Sequence, residues 1–400
     1  MLTLEQFKFL RTPLGRELLA MDLPVDDPLA AQAALRKRCG PAEAAAVAEM
    51  RRVRRRAGAS GKFPPEFAAG LLAGDVMVQQ ASSFRLAAYV GRQLADLAGD
   101  GEVLDLCSGL GADAIGAARS GAAVRGVDSD AGAVFCAAHN ADLAGVADRC
   151  SFARADTTAM DLPAGAVVHI DPDRRATGRR TVLMEDYSPP AEFLRDLTTR
   201  ARAGAMKLSP ALDRGAVDHW GDTQIEYVSE GRVCKQLVVW WGARRAGRKA
   251  TVLAGATDAP HATSIDVDPA ALAEIADPTE WLIEPDPAVI AAAAVDTLAA
   301  AHNLHRTCPT LAWLFGHEPA DTPLGRNYHI LARVPGRESD VRRAMRKLSA
   351  ARVTVKPRGL KLNTDKLQRR LSSRKGTRDL VVLWCKLARR EEAYIAEAGR

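Results

Sequence analysis

Val103-Leu104-Asp105-Leu106-Cys107-Ser108-Gly109-Leu110-Gly111, followed by a helix-forming run from Ala112 to Arg119, decides the fold of this chain. An apolar run enters an acid and then a Gly-x-Gly turn, which reads as a strand, a tight loop and a helix N-terminus. A parallel sheet presents its backbone to a nucleotide-like ligand in this way. Glycine is needed at such a turn because a Cβ would block close approach and restrict the backbone. Taken alone, Gly109-x-Gly111-x-x-Ala114 also fits a dinucleotide fingerprint, so the segments downstream must decide the ligand.

Three further strand-like segments follow, each ending in an acid. Ala123 to Asp128 places a carboxylate where both ribose hydroxyls could donate to it. Cys150 to Asp156 ends in an acid suited to an adenine amino group. Ala166 to Asp173 runs into Asp171-Pro172. Four successive strand ends with polar groups, at the edge where an open α/β sheet binds ligands, are far more specific than one glycine loop. The series resembles the class I S-adenosylmethionine-dependent methyltransferases over about residues 76–255. In that family an acid precedes the glycine loop, where dinucleotide oxidoreductases usually carry an apolar residue. The resemblance implies a Rossmann-like, seven-stranded α/β sheet and S-adenosyl-L-methionine as cofactor. It implies that Asp105, Cys107, Gly109, Gly111, Asp128 and Asp156 hold that cofactor. Cys107-Ser108 stands where glycine is commoner. Gln80 and Ser83, just ahead of the first strand, join the cofactor candidates because this segment often lines the pocket in the family.

The chemistry is expected at the fourth strand. Methyl transfer is an in-line displacement, so the protein mainly positions the nucleophile and excludes water. Exocyclic amines of bases are weak nucleophiles because the lone pair is delocalised into the ring. Enzymes that methylate them typically carry Asp-Pro-Pro or Asn-Pro-Pro plus an aromatic here, so Asp171 and Pro172 are the catalytic candidates. Asp173-Arg174-Arg175 replaces the second proline and the aromatic. Tyr187 could stack from the following loop, Arg174 and Arg175 could bind phosphate or stack, and Arg179 and Arg180 extend the positive edge.

Composition bounds the remaining choices. Four hundred residues with 47% hydrophobic content suffice for two or three cored domains. No apolar stretch is long enough for a membrane span, and Met1-Leu2-Thr3-Leu4-Glu5 lacks the form of a signal peptide. Seven scattered cysteines without a Cys-x-x-Cys pair fit reduced thiols in a cytoplasm. His302-x-x-His305-x-x-Cys308 lacks a fourth ligand and is bordered by Pro309, so no metal is expected. The net charge of +6 is uneven. From Asp321 onward, 21 lysines and arginines face 8 aspartates and glutamates, a surplus that suits a polyanion such as RNA.

Along the chain, residues 1–75 read as helical, with helices expected over Leu4–Leu19, Ala30–Arg56 and Pro64–Leu72. The cluster Arg51-Arg52-x-Arg54-Arg55-Arg56 could touch phosphate or complement the helix dipole. The methyltransferase-like domain is expected at 76–255, closed by a hairpin around Ser229-Glu230-Gly231-Arg232. A linker is expected at 256–280 and a basic unit at 281–400. In that last unit a β-α-β-α-β order from Tyr328 to Leu387 predicts a small α/β plait, with Lys356 and Arg358 on its central loop as substrate contacts. With Glu284-Pro285-Asp286, this region resembles the THUMP-like domains found behind bacterial methyltransferase domains. The reading reached is an RNA base methyltransferase favouring an exocyclic amine. The alternatives are a methyltransferase for a protein or small molecule, or a non-catalytic RNA-binding protein retaining the fold.

Overall fold

The computed structural model describes residues 2–24, 26–173, 183–242, 245–387 and 390–399. Arg174, Arg175, Arg179 and Arg180, the basic candidates of the loop after the fourth strand, lie outside the described residues. The chain divides into two compact units, Met1–Glu226 with Lys235–Gly247 and Leu253–Ala262, and Tyr227–Cys234 with Arg248–Val252 and Thr263–Arg400. Among the described residues, no helix is long and apolar enough to cross a membrane.

The N-terminal region holds α1 Leu4–Arg11, α2 Pro13–Ala20, α3 Pro28–Arg36, α4 Pro41–Ala59, α5 Pro65–Gly70 and α6 Asp75–Gln80. The two long helices expected here each break in two. Pro13 and Pro41 lack an N–H and clash with the preceding turn, so each starts a new helix instead of continuing one. Thr12 caps the second helix by accepting from Gly15 N. The arginine cluster is largely structural. Arg51 donates to the carbonyls of Leu19 and Met21, Arg54 to those of Gly70 and Leu71, and Arg56 pairs with Asp75 at 2.8 Å.

After α7 Phe84–Ala98 the chain alternates β1 Glu102–Leu106, α8 Ala112–Arg119, β2 Ala123–Asp128, α9 Ala131–Leu143, β3 Cys150–Arg154, β4 Val167–Ile170, α10 Ala191–Arg200 and β5 Ala203–Leu208. Then come β6 Gln224–Glu230, β7 Val233–Trp241, β8 Gly247–Gly255 and β9 Pro260–Asp266. The sheet order is β3-β2-β1-β4-β5-β7-β6-β8-β9, with the first five strands parallel and β7 antiparallel to β5. The first seven strands of that order are the expected sheet, and β8 and β9 extend it. β9 was not legible in the sequence because His261-Ala262-Thr263-Ser264 carries no apolar alternation. The strand order reverses at β1, which has β2 on one side and β4 on the other. A crevice opens at the carboxyl ends of strands at such a switch point.

The second unit contains β10 Trp281–Pro285, α11 Pro287–Ala291, α12 Val295–Ala301, β11 Leu314–Gly316, β12 Gly325–Pro335, α13 Glu338–Lys347, β13 Ala350–Arg358, α14 Thr364–Leu371, β14 Arg378–Leu387 and β15 Arg390–Ala398. The β-α-β-α-β order from β12 to β14 is as expected. β15, unforeseen, inserts between β12 and β14 in a sheet ordered β11-β10-β12-β15-β14-β13. Val341 and Met345 of α13 and Leu367 and Leu371 of α14 pack on Val353, Leu380, Val382 and Trp384.

Glu284 is a charged hub inside this unit. Its buried carboxylate accepts from Tyr328 Oη at 3.1 Å, Arg358 at 2.7 Å and Lys356 Nζ. Lys356 and Arg358, expected to face substrate, are thus committed to a carboxylate of their own unit. Burial pushes the Glu284 carboxyl up, and Lys356, Arg358 and Tyr328 more than reverse this, holding it below the ordinary 4.5. Glu284→Ala is expected to cost about 2–3 kcal/mol, because it strands two cations that are only partly exposed. The stabilising pairing is complete above pH 4.5 and is lost as pH falls through the depressed value. Thermal melts of wild type and variant from pH 7 to pH 3 should therefore converge.

Candidate functional site

The crevice at the switch point is a cavity of about 840 Å³, within the usual size of a cofactor site. Asp105 lies in β1, Asp128 ends β2 and Asp171 directly follows β4, and all three line it. Cys107, Gly109, Gln80 and Pro172 line it too. The loop after β1 turns on left-handed residues, Cys107 at φ 59°, Gly109 at 55° and Gly111 at 85°. A Cβ on Gly109 would meet nothing within 4 Å, so conformation, together with access for a ligand, calls for glycine there. Gly111 is the N-cap of α8 and shapes the loop from just outside the cavity. Asp128 fastens the loop to β2, its Oδ2 accepting from Gly109 N and its Oδ1 from Asp130 N, both at 2.9 Å.

Beneath the cavity lie polar pairs that sequence reading missed. His169 of β4 faces Asp105 of β1 across the parallel ladder, and Nδ1 lies 2.6 Å from Asp105 Oδ1 with both side chains buried. Burial pushes the Asp105 carboxyl up, with the His169 bond partly opposing it. Burial works to lower His169, but its bond to Asp105 and that residue's charge leave it raised. From β5, Lys207 Nζ donates to Asp171 Oδ2 and, at 3.0 Å, to Ser82 Oγ, which donates to Asp113 Oδ2 at 2.9 Å. The signal was a lone histidine and a lone lysine within apolar parallel strands, where a polar residue needs a partner. Gln80 Nε2 donates to Asp173 Oδ1 at 2.9 Å, tying α6 to the segment after β4.

Other expected residues sit elsewhere. Ser83 caps α7 by accepting from Leu86 N. Asp156 is exposed and accepts from Thr158 N and Oγ1, so it faces its own loop and not the cavity. Tyr187 is 4% exposed and its hydroxyl accepts from Ser209 N. Among the described residues, Tyr187 is not one that lines the cavity, so it stands apart from the expected stacking position.

The cavity suits a cationic, hydroxyl-bearing ligand. Asp105, Asp113, Asp128, Asp130, Asp171 and Asp173 line it, a negative surround for a sulfonium and an ammonium. Asp105 Oδ2 and Ser108 Oγ are buried without a protein partner among the described residues, which is costly unless a ligand group satisfies them. Asp128→Ala is expected to weaken binding of S-adenosylhomocysteine by about 1–3 kcal/mol, the cost of unpaired ribose hydroxyls plus a freed loop. Calorimetry on the two proteins checks this.

Comparison with known proteins fits this geometry. Residues 101–191 match the family model of RNA cap guanine-N2 methyltransferases, residues 325–398 that of THUMP domain-like sequences, and residues 3–57 a domain of unknown function. Over 339 residues the chain is 30% identical to an uncharacterized S-adenosylmethionine-dependent methyltransferase of Mycobacterium tuberculosis strain H37Rv, spanning 82% of this chain and 89% of that protein. A stretch of 78 residues, 18% of each chain, is 44% identical to the 23S rRNA (uracil(1939)-C(5))-methyltransferase of Acidithiobacillus ferrooxidans. The fold is similar to a crystal structure assigned as a methyltransferase from Porphyromonas gingivalis W83, with TM-score 0.70 and 16% identity over 99% of this chain and 98% of that one.

Proposed function

The chain belongs to the S-adenosylmethionine-dependent methyltransferases, and from that premise we propose that it methylates an exocyclic amine of an RNA base. The observation that carries this reading is Asp171-Pro172 at the end of β4, opening into the same cavity as Asp105, Gly109 and Asp128. S-adenosylmethionine supplies an activated methyl group on a sulfonium. Asp105 and Asp128 would hold its amino-acid and ribose ends, and the six cavity aspartates would favour its positive charge. In this reading Lys207 engages one oxygen of Asp171, and Oδ1 is left to accept a hydrogen of the substrate amine. That bond orients the nitrogen lone pair toward the methyl group and draws off the proton the amine must lose.

Carbon methylation of a uracil fits less well. It calls for an activated thiolate, and the cysteine lining the cavity is Cys107, whose thiol is pushed up to about 12 by burial first and by Asp128 next. RNA as substrate is supported by the THUMP-like match, by the rRNA methyltransferase similar over 78 residues, and by the basic second unit. On α13 and α14 of that unit, Arg346, Lys347 and Lys366 are exposed and enter no ion pair among the described residues. With Lys356 and Arg358 committed to Glu284, these are the better candidates for phosphate.

The test is incubation with methyl-labelled S-adenosylmethionine and total cellular RNA, followed by digestion to nucleosides. Label in a nucleoside methylated on an exocyclic nitrogen supports the reading. Label in a C5-methylpyrimidine, or only in protein or small molecules, overturns it.

A further inference from the structure

On the cofactor assignment proposed above, Asp128 and Asp171 together set how the cofactor would run. The methyl group belongs beside Asp171 at the end of β4, the ribose at Asp128 at the end of β2, and β1 lies between these strands. The purine, attached beyond the ribose, therefore falls past β2, over the start of α9. The acid expected to meet it there, Asp156, is turned into its own loop.

What lines the cavity on that side comes from the N-terminus of the chain. Phe7 of α1 is 3% exposed and its ring lies against Gly132, where an added Cβ would be 3.5 Å from Phe7 Cε2. Gly132 and Ala133 of α9 line the cavity with Phe7, and half-buried Leu2 and Leu4 line it as well. The helix is built to hold that position. Thr3 and Gln6 form a reciprocal cap at 2.9 and 3.3 Å, Leu10 is buried, and Arg11 reaches Asp142 of α9 at 3.8 Å.

We propose that α1 is part of the cofactor site, with half-buried Leu2 and Leu4 forming an apolar wall against the purine of S-adenosylmethionine and the buried Phe7 ring backing that wall. This gives a role to a segment whose family model describes a domain of unknown function. A flat purine face gains from apolar and aromatic cover, because burying it removes apolar surface from water. Gly132 and Ala133 of α9 line the cavity beside this wall, and neither carries a side chain long enough to fill it. The proposal rests on the cofactor assignment but not on the choice of substrate.

The experiment is calorimetry on the full chain with S-adenosylhomocysteine and, separately, with adenosine. Leu4 is half-buried, so Leu4→Asp changes the wall more than the core. It is expected to weaken both ligands by about tenfold, and Leu4→Met to restore wild-type affinity. Thermal melts without ligand verify the fold, and Leu2→Asp replaces Leu4→Asp should the latter unfold. Unchanged affinity in a folded variant overturns the proposal. So does weakened S-adenosylhomocysteine with unchanged adenosine, since the wall would then face the amino-acid end. Intact, Leu4-dependent cofactor binding without any methylated RNA would instead sink the base-amine reading and leave this one standing.

Discussion

Asp171→Ala is expected to lower kcat by roughly 10²–10⁴-fold, the usual contribution of a positioned proton acceptor, while S-adenosylhomocysteine binds almost as before. The split follows from placement. In the proposed reading Asp128 and the glycine loop it fastens hold the ribose side, whereas Asp171 follows β4 and is bonded to Lys207. An interaction made mainly with the reacting nucleophile lowers kcat and kcat/KM together and leaves cofactor binding alone. Single-turnover rates at saturating cofactor, with calorimetric affinity measured in parallel, separate the two. Loss of cofactor affinity with normal turnover at saturation would reassign Asp171 to the binding surface.

How much of this could be read from the chain depended on whether a feature is local. The glycine loop, the four acid-ended strands and the β-α-β-α-β order of the second unit are set by period and turn chemistry within short windows, and all reappear in the structure. The acids of β1, β2 and β4 share the cavity because parallel strands end at one edge of the sheet. Asp156 departs because Thr158, two residues on, offers both its N–H and its hydroxyl to the carboxylate. Tyr187 departs because tertiary packing encloses it, which no local pattern could reveal. β15 was missed because Arg390-Glu391-Glu392 reads as a solvated stretch, although Arg333 and Arg390 pair with Glu392 in the sheet. The pairs His169–Asp105 and Lys207–Asp171 depend on sheet neighbours 64 and 36 residues apart. Such pairs become visible only once register is known.

Lys207→Met supplies the second large effect. The ammonium is buried on β5, bonded to Asp171 and to Ser82. Removing it frees the Asp171 carboxylate to rotate toward water, and misplacement of a catalytic group by about 1 Å can cost on the order of 10²-fold. A fall in kcat of about 10–100-fold is therefore expected, smaller than for Asp171→Ala because the carboxylate itself remains. Stability tells the same story in a form independent of substrate. Asp171→Ala leaves a buried ammonium short of its carboxylate, expected to cost about 2–4 kcal/mol. Replacing Lys207 by methionine in that background removes the stranded charge and keeps most of the apolar stem. The double variant should thus melt above Asp171→Ala alone, with a coupling of roughly 1–3 kcal/mol between the two sites. Additive melting temperatures, together with a normal kcat in Lys207→Met, would show that the pair is packed side by side without one residue positioning the other.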